Sequence, residues 1–168
     1  MKFEFCPLCG EKLIDKYSWD EGYIPYCEKH DMMFFDTPKP CVVVAVIKGN
    51  EVLLLKQSYI FKNSKVLVSG YVGQNEKVED TVEREVREEA GIEVENIRYL
   101  GSDFIENKEI LMITYVADYK SGEIKKSAEV EDVMWIPINE ALSHMKENRI
   151  GKNIIKKILN NKQQTGTY

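Results

Sequence analysis

The chain is organised around residues 70–92, which read GYVGQNEKVEDTVEREVREEAGI. Residues 78–90 contain neither Gly nor Pro, and Val82, Val86 and Ala90 recur at every fourth position. This period predicts an amphipathic helix that buries one apolar stripe. Gly91 follows at the position where a left-handed residue commonly ends a helix.

The predicted helix carries three carboxylates on one face. Glu85, Glu88 and Glu89 are spaced i, i+3 and i+4, so their side chains are neighbours on the helix surface. Three like charges repel one another, and a hard divalent cation such as Mg²⁺ relieves the repulsion because it prefers oxygen ligands. The alternative is an acidic face that is only solvated, as charge runs usually are.

Residues 70–92 fill every fixed position of the pattern G-x5-E-x7-R-E-U-x-E-E-x-G-U, where U is aliphatic. The stretch resembles the box of the Nudix hydrolases, which cleave nucleoside diphosphates linked to another group. The resemblance implies catalytic Mg²⁺ or Mn²⁺ on the box carboxylates, with the Gly70 carbonyl as a further ligand. It also implies that Arg84 pairs with Glu76 and locks the loop onto the helix. The implied catalytic residues are Glu76, Arg84, Glu85, Glu88 and Glu89.

Three residues outside this core of the box are further candidates. The segment Glu129–Trp135 is similar to a loop from which family members often add a carboxylate, which nominates Glu129 as a metal ligand. A solvated loop acid is the alternative. Tyr71 and Phe104 are candidates for stacking on a substrate base, and packing in the core is the alternative for each.

Other segments resemble the NADH pyrophosphatase-like subgroup of the family, whose members place a zinc ribbon before the Nudix domain. Pro38-Lys39-Pro40 looks like the junction of that subgroup, and residues 97–102 look like the segment after its box. The NADH-cleaving members continue with Gln-Pro-Trp-Pro-Phe-Pro, whereas residues 103–108 here read DFIENK. The residues associated with the choice of NADH are therefore absent.

The box itself also departs from the family at two variable positions. Many members have Glu where this chain has Gly73, and Gly where it has Asn75. Asn tolerates a left-handed backbone, so Asn75 is expected to hold the turn. The candidate substrates are NAD(H), ADP-ribose, other nucleoside-diphosphate sugars, nucleoside triphosphates and capped RNA 5′ ends.

A second motif precedes the box. Cys6 and Cys9 form a C-x2-C pair, and after seventeen residues Cys27 and His30 form a C-x2-H pair. Two such pairs can converge into a tetrahedral Cys3His site for structural Zn²⁺, which would supply folding energy to a zinc ribbon over residues 1–36. The alternatives are independent thiols, a redox C-x-x-C, and Cys41 instead of His30 as the fourth ligand. A buried free thiol is the other interpretation of Cys41.

The remaining elements predict a mixed sheet between helices, which places the chain in the α+β class. Strands are expected over residues 41–47, 51–57, 65–69, 98–106, 109–120 and 131–136, with a hairpin at Gly49-Asn50. Asn139 is expected to cap a short helix, and residues 150–161 to form the last helix. With the acidic helix these make an α/β/α sandwich over residues 37–168, an order that also matches the Nudix fold by resemblance.

Charge and hydropathy limit the classes of partner. The formal net charge of −5 argues against broad binding to a phosphate backbone, so nucleic acid is expected only as a capped RNA 5′ end. A late basic cluster is either a solvated helix face or an anion patch: Lys146, Arg149, Lys152, Lys156, Lys157 and Lys162. No run of about 18 apolar residues could span a membrane, and no apolar run near the start resembles a signal peptide.

These patterns predict a cytoplasmic enzyme that hydrolyses a small nucleotide. Relatives suggest a homodimer, which no residue pattern here requires. The alternative function is a non-catalytic nucleotide sensor, or an adaptor whose zinc ribbon docks onto protein or nucleic acid.

Overall fold

The computed structural model describes residues 3–165, with side chains through Lys162. The chain divides into two compact units, one ending at Pro38 and one beginning at Lys39. The first unit contains a three-stranded antiparallel sheet in the order β1-β2-β3. Its strands are β1 (Ile14–Ser18), β2 (Gly22–Cys27) and β3 (Met32–Met33).

The second unit is built on a seven-stranded sheet. Its strands are β4 (Lys39–Lys48), β5 (Glu51–Lys56), β6 (Lys65–Val66), β7 (Val68–Tyr71), β8 (Glu93–Ile105), β9 (Ile110–Ser121) and β10 (Asp132–Pro137). The strand order is β10-β5-β4-β9-β8, and β6 and β7 pair with β5 and β4 respectively. Only the β4–β9 pair among these is parallel, so the predicted mixed sheet is confirmed.

Helices cover both faces of this sheet. They are α1 (Val78–Ala90), α2 (Ala141–His144) and α3 (Arg149–Thr165), and a 3-10 turn (Glu106–Lys108) joins β8 to β9. Along β4 the side chains alternate: Val42, Val44 and Val46 pack with α1, and the residues between them pack with α2 and α3. Both faces are therefore buried, which explains the unbroken apolar run of β4 and confirms the α/β/α sandwich.

The acidic helix has the bounds that its sequence predicts. Val82, Val86 and Ala90 are fully buried, and the last turn ends at Gly91 with φ 72°. The N–H of Gly91 donates to the carbonyl of Arg87. The carboxylate-bearing face is thus fixed by the opposite, apolar stripe.

Several predicted boundaries are wrong. Strand β8 begins at Glu93 instead of residue 98, because bulges near Asn96 (φ 50°) interrupt the alternation by which a strand is recognised. The predicted strand over residues 65–69 is two short strands, β6 and β7. Asn139 does not cap α2, since the residue before that single turn is Glu140, which makes no side-chain cap.

Helix α3 is longer than predicted and continues to Thr165. Within the residues described, no helix is both long and apolar enough to cross a membrane.

Candidate active site

The three box carboxylates project from α1 towards the ends of β5 and β7. Glu85 lies directly against Gly70 of β7, where a Cβ atom would overlap the Glu85 carboxyl group. Only glycine therefore allows β7 and the helix carboxylate to approach this closely. The contact brings the backbone of residue 70 beside a helix carboxylate.

Arg84 organises the loop that leads into the helix. Its Nε and Nη2 donate to the two oxygens of Glu76 at 2.7 and 3.0 Å, and Nη2 also donates to the Tyr71 carbonyl at 3.0 Å. Glu76 accepts a further bond from the N–H of Gly73 at 2.8 Å. These contacts hold the pKa of Glu76 down at about 2, chiefly through the bond from Arg84. The ion pair between Glu76 in the loop and Arg84 on the helix thus fastens the loop to α1.

The same guanidinium reaches two of the box carboxylates. Nη1 of Arg84 donates to Glu85 Oε1 at 2.7 Å and to Glu88 Oε2 at 2.9 Å. Glu85 and Glu88 therefore face the same cation, which confirms that the i and i+3 side chains converge.

Glu89 occupies the most enclosed position of the three. The residue is 8% exposed, and its Oε1 accepts a bond from Nε2 of the buried Gln57 at 3.0 Å. Its Oε2 is buried and has no hydrogen-bond partner among the described residues. Burying a carboxylate oxygen without a partner is unfavourable, so this atom is available to a ligand such as a cation.

The electrostatics of the carboxylate set reflect this enclosure. Burial raises the pKa of Glu89 to about 7, and the negative charges of Glu85, Glu129 and Glu88 add to the shift against the bond from Gln57. Burial likewise raises the pKa of Glu85, although Arg84 opposes the change. A divalent cation would offset the unfavourable burial of the ionised Glu89 and Glu85 carboxylates. The oxygen donors here are the type that Mg²⁺ prefers.

Glu129 lies on an exposed loop close enough for its charge to affect Glu89 and Tyr59. The loop is anchored on both sides of the site. Glu131 accepts a bond from the N–H of Ser58 and an ion pair from Lys56, and the N–H of Ser127 donates to the Glu89 carbonyl. The structure therefore brings Glu129 to the same end of α1 as the box carboxylates.

The two candidate stacking residues are not brought together. Tyr71 and Phe104 are 55% and 56% exposed, so core packing is wrong for both. Strands β4 and β9 separate them, and the alternation of side chains places Phe104 on the α1 face and Tyr71 on the other. Tyr71 directly follows Gly70, which makes it the nearer of the two to the carboxylates.

The turn before α1 has the predicted conformation. Asn75 adopts φ 60°, so it supplies the left-handed residue for which many family members have glycine. Gly73 lies beside it, and a Cβ there would come within 3.0 Å of a Glu76 oxygen.

The first unit holds a separate cluster of donors. One ligand atom from each of Cys6, Cys9, Cys27 and His30 lies within 4.8 Å of the others. Cys6 Sγ and Cys27 Sγ lie 3.6 and 3.4 Å from His30 Nδ1, and the sulfurs of Cys9 and Cys27 are 3.8 Å apart. The two pairs thus converge, and the fourth member of the cluster is His30.

The thiol environments differ within the chain. Burial opposes ionisation of Cys6, but bonds from the backbone of Leu8 and Cys9 and from His30 and Cys27 lower its pKa to about 6. Cys41 is instead buried in β4, where loss of solvent and the charge of Glu85 raise its pKa to about 11. Cys6 therefore favours the metal-binding thiolate form, and Cys41 is a buried free thiol.

Comparison with known proteins decides the family. The model of the NUDIX domain family matches residues 37–158. The chain belongs to the Nudix family. Its NAD-capped RNA hydrolase NudC relative from Vibrio parahaemolyticus is 33% identical over 137 residues, which cover 81% of this chain and 52% of that protein. The relative of the same name from Photobacterium profundum is 30% identical over 156 residues, covering 92% and 58%.

The chain spans about half the length of the curated relatives it matches. Among solved structures, a NUDIX hydrolase from Nitrosomonas europaea superposes with a TM-score of 0.77 at 22% identity, covering 98% of this chain and 94% of that one. This likeness supports the fold alone, and it agrees with the Nudix sandwich described above.

Sequence reasoning missed two residues of the site. Gln57 is 2% exposed and holds Glu89, and its only local signal is a polar side chain at the end of the buried strand β5. Tyr59 is largely exposed, and loss of solvent raises its pKa together with the charges of Glu89 and Glu129. No sequence pattern connects Tyr59 to a helix thirty residues later.

Proposed function

We propose that this chain is a metal-dependent hydrolase that cleaves the diphosphate linkage of a nucleoside diphosphate joined to another group. The observation that carries the proposal is the enclosed carboxylate set on α1, with the partnerless Oε2 of Glu89 and the close approach of Glu85 to Gly70. Family membership supports the same reaction class. The substrates considered are NAD(H)-like and ADP-ribose-like compounds, and the names of the curated relatives favour NAD-capped RNA 5′ ends among them.

The carboxylates fit a hard divalent cation, Mg²⁺ or Mn²⁺. Glu85, Glu88 and Glu89 would hold it together with the Gly70 carbonyl, and Glu129 would add a ligand from its loop. When bound, such an ion neutralises diphosphate oxygens and lowers the pKa of water. Arg84 positions Glu85 and Glu88, Gln57 orients Glu89, and one carboxylate of the set accepts the proton that the attacking water releases.

Tyr71 is the better of the two candidates for stacking on a substrate base. Its carbonyl is held by Arg84 beside the carboxylates, and its exposed ring lies at the end of β7 on the sheet face away from α1, so a base stacked there would sit around the sheet edge from the carboxylates. Phe104 is equally exposed but lies beyond β4 and β9, so we assign it to a more distant part of a long substrate.

The donor cluster of the first unit fits structural Zn²⁺. A tetrahedral ion with Zn–S bonds of about 2.3 Å and a Zn–N bond of about 2.05 Å separates two sulfurs by about 3.8 Å, and a sulfur from a nitrogen by about 3.6 Å. The Cys9–Cys27 distance of 3.8 Å and the Cys6–His30 distance of 3.6 Å agree with these values. We propose that residues 1–36 form a zinc ribbon.

None of the four described cysteines is in a disulfide, and zinc-bound or buried thiols suit a reducing compartment, so we propose that the protein is cytoplasmic. A homodimer is proposed by analogy with relatives. Sedimentation of the purified chain at several concentrations tests that assembly.

The reaction is tested with a panel of NAD⁺, NADH, ADP-ribose, nucleoside-diphosphate sugars, nucleoside triphosphates and NAD-capped RNA. We expect Mg²⁺-dependent turnover of at least one compound, and none when Glu89→Gln is assayed as the blank. The contrary outcome is a folded, metal-loaded protein that binds a nucleotide tightly by calorimetry and cleaves no compound of the panel. That outcome would reject the hydrolase and support a nucleotide sensor or adaptor.

A further inference from the structure

A cavity of about 370 Å³ lies between β8 and α3. Its wall includes Ile154, which packs in the core cluster on the sheet face opposite α1. We call it the α3 cavity and define it by its polar lining: Ser102, Asp103, Thr114, Asn153, Lys156, Lys157 and Asn160. The sheet separates this cavity from the helix that bears the box carboxylates, so the two sites are distinct.

A glycine bulge in β8 shapes the cavity. Gly101 adopts φ 149° at a register shift, and a Cβ there would come within 2.9 Å of Lys157 Nζ. The ammonium group of Lys157 is fixed at this place because it donates to the Leu100 carbonyl at 2.7 Å. The backbone thus holds one positive charge at the edge of the cavity, at the position where glycine leaves room for it.

Thr114 of β9 gives an independent sign of a ligand. The residue is 3% exposed, it lines the cavity, and its Oγ1 has no hydrogen-bond partner among the described residues. A buried hydroxyl without a partner is unfavourable, and such a group calls for a partner such as an ordered water, an ion or a ligand. Thr114 therefore places a buried, unpaired hydroxyl next to the cavity.

The remaining lining specifies the chemistry of the ligand. The ammonium groups of Lys156 and Lys157 attract a phosphate, whereas the single carboxylate of Asp103 suits the hydroxyl groups of a sugar. Asn153 and Asn160 present amides that can donate to or accept from such hydroxyls. The volume lies at the lower end of the range for small-molecule pockets, about 300–1,000 Å³.

We propose that the α3 cavity binds a phosphorylated sugar, from a pentose phosphate to a nucleoside monophosphate, at a site separate from the reaction centre. Lys156 and Lys157 hold the phosphate, Asp103 and the asparagine amides hold the sugar, and Thr114 gains a hydrogen-bond partner. The same lysines belong to the basic cluster that the sequence leaves open between a solvated face and an anion patch, and the cavity assigns these two to an anion site.

The test uses the full chain with Glu89→Gln, so that no hydrolysis interferes and the result does not depend on the proposed reaction. Ribose 5-phosphate, adenosine monophosphate, inorganic phosphate and unphosphorylated ribose are titrated without added Mg²⁺, by calorimetry and by amide NMR. We expect the two phosphorylated sugars to bind and to shift the amide signals of Gly101 and Thr114. Ribose should not bind.

Two substitutions and a matched control locate the contacts. Lys156→Gln should weaken binding about tenfold because it removes a charge-assisted bond to phosphate. Thr114→Val should weaken it about fivefold and raise the melting temperature of the ligand-free chain, because the buried hydroxyl is lost. Lys152→Gln, on the same helix but outside the lining, should leave the affinity within about twofold of the parent.

Three outcomes would overturn the proposal. The first is no binding of either phosphorylated sugar up to roughly 10 mM, which is weaker than useful recognition. The second is an equal response to inorganic phosphate that Thr114→Val does not change, which indicates a general lysine patch. The third is a set of signal shifts at Gly70 and Glu85 in place of Gly101 and Thr114, which places the ligand at the box carboxylates.

Discussion

The buried carboxylate of Glu89 destabilises the metal-free fold when it is ionised, and the same carboxylate is placed to bind a cation. Its carboxylate is enclosed, it has one donor in Gln57, and its second oxygen has no partner among the described residues. Burial raises its pKa to about 7, so the metal-free chain holds a large share of the protonated acid near neutrality. The ionised form requires a cation, which links the stability of the site to metal binding.

This raised pKa predicts a pH dependence of stability. The stabilisation from protonated Glu89 is complete below the ordinary glutamate pKa of about 4.3 and is lost as pH rises through about 7. Without Mg²⁺, the melting temperature of the wild type should therefore fall relative to that of Glu89→Gln between about pH 5 and pH 7.5. Thermal unfolding followed by circular dichroism over this range makes the comparison.

Glu83→Gln is the matched control because Glu83 lies on the exposed face of the same helix. Its stability curve should run parallel to that of the wild type, and added Mg²⁺ should restore the wild type at pH 7.5. Parallel curves for the wild type and Glu89→Gln would contradict the assigned burial of this carboxylate.

At the scale of elements, Arg84 joins the loop after β7 to α1. It bonds both oxygens of Glu76 and the Tyr71 carbonyl, and it faces Glu85 and Glu88. A planar guanidinium can make these bonds together, whereas a lysine ammonium cannot. The attachment of the loop to α1 therefore depends on the planar geometry of the guanidinium and not only on its positive charge.

Arg84→Lys should lower the rate of hydrolysis by about one to two orders of magnitude, because the carboxylates lose their fixed positions. Amide exchange should become faster at residues 72–77 and stay unchanged in β4. Arg87→Lys is the control, since the Arg87–Glu93 pair is mostly exposed and lies away from the loop. If Arg84→Lys retained full activity and slow exchange, the locking role would be rejected.

Local rules explain what could be predicted at this scale. The bounds of α1, the left-handed Gly91 and Asn75, and the burial of Val82 and Val86 follow from period and backbone preference within one segment. The start of β8 could not be predicted, because the bulge at Asn96 breaks the alternation. The contact of Gln57 with Glu89 joins residues 32 positions apart, and no local pattern records such a pair.

The whole molecule contains two units with different sources of stability. The second unit buries two apolar clusters on the two faces of one sheet, whereas the first has a small sheet and a Cys3His cluster. A segment of this size builds little core, so a bound metal should provide much of its folding energy. The spacing of the cysteines and the histidine predicts which residues donate. The distances between their ligand atoms depend on how the first unit folds and could not be predicted from the spacing.

Removal of zinc should therefore unfold one unit selectively. We expect about one zinc per chain by elemental analysis, and after chelation we expect fast amide exchange of β1 and β2 with protected amides in β4 and β9. Cys9→Ser should give the same pattern, and Cys41→Ser, which changes a buried thiol outside the cluster, should keep the zinc. A zinc-free preparation with a protected first unit would contradict the ribbon.

The central claim is that the α1 carboxylates support hydrolysis at phosphorus in a diphosphate. The most direct measurement follows the fastest-cleaved compound of the panel in ¹⁸O-labelled water with Mg²⁺, and analyses the products by mass spectrometry. We expect two phosphate-bearing products, one of which carries a single heavy oxygen, and no product from Glu89→Gln. Cleavage that proceeds equally in Glu89→Gln, or that places no heavy oxygen on a phosphate, would contradict the central claim.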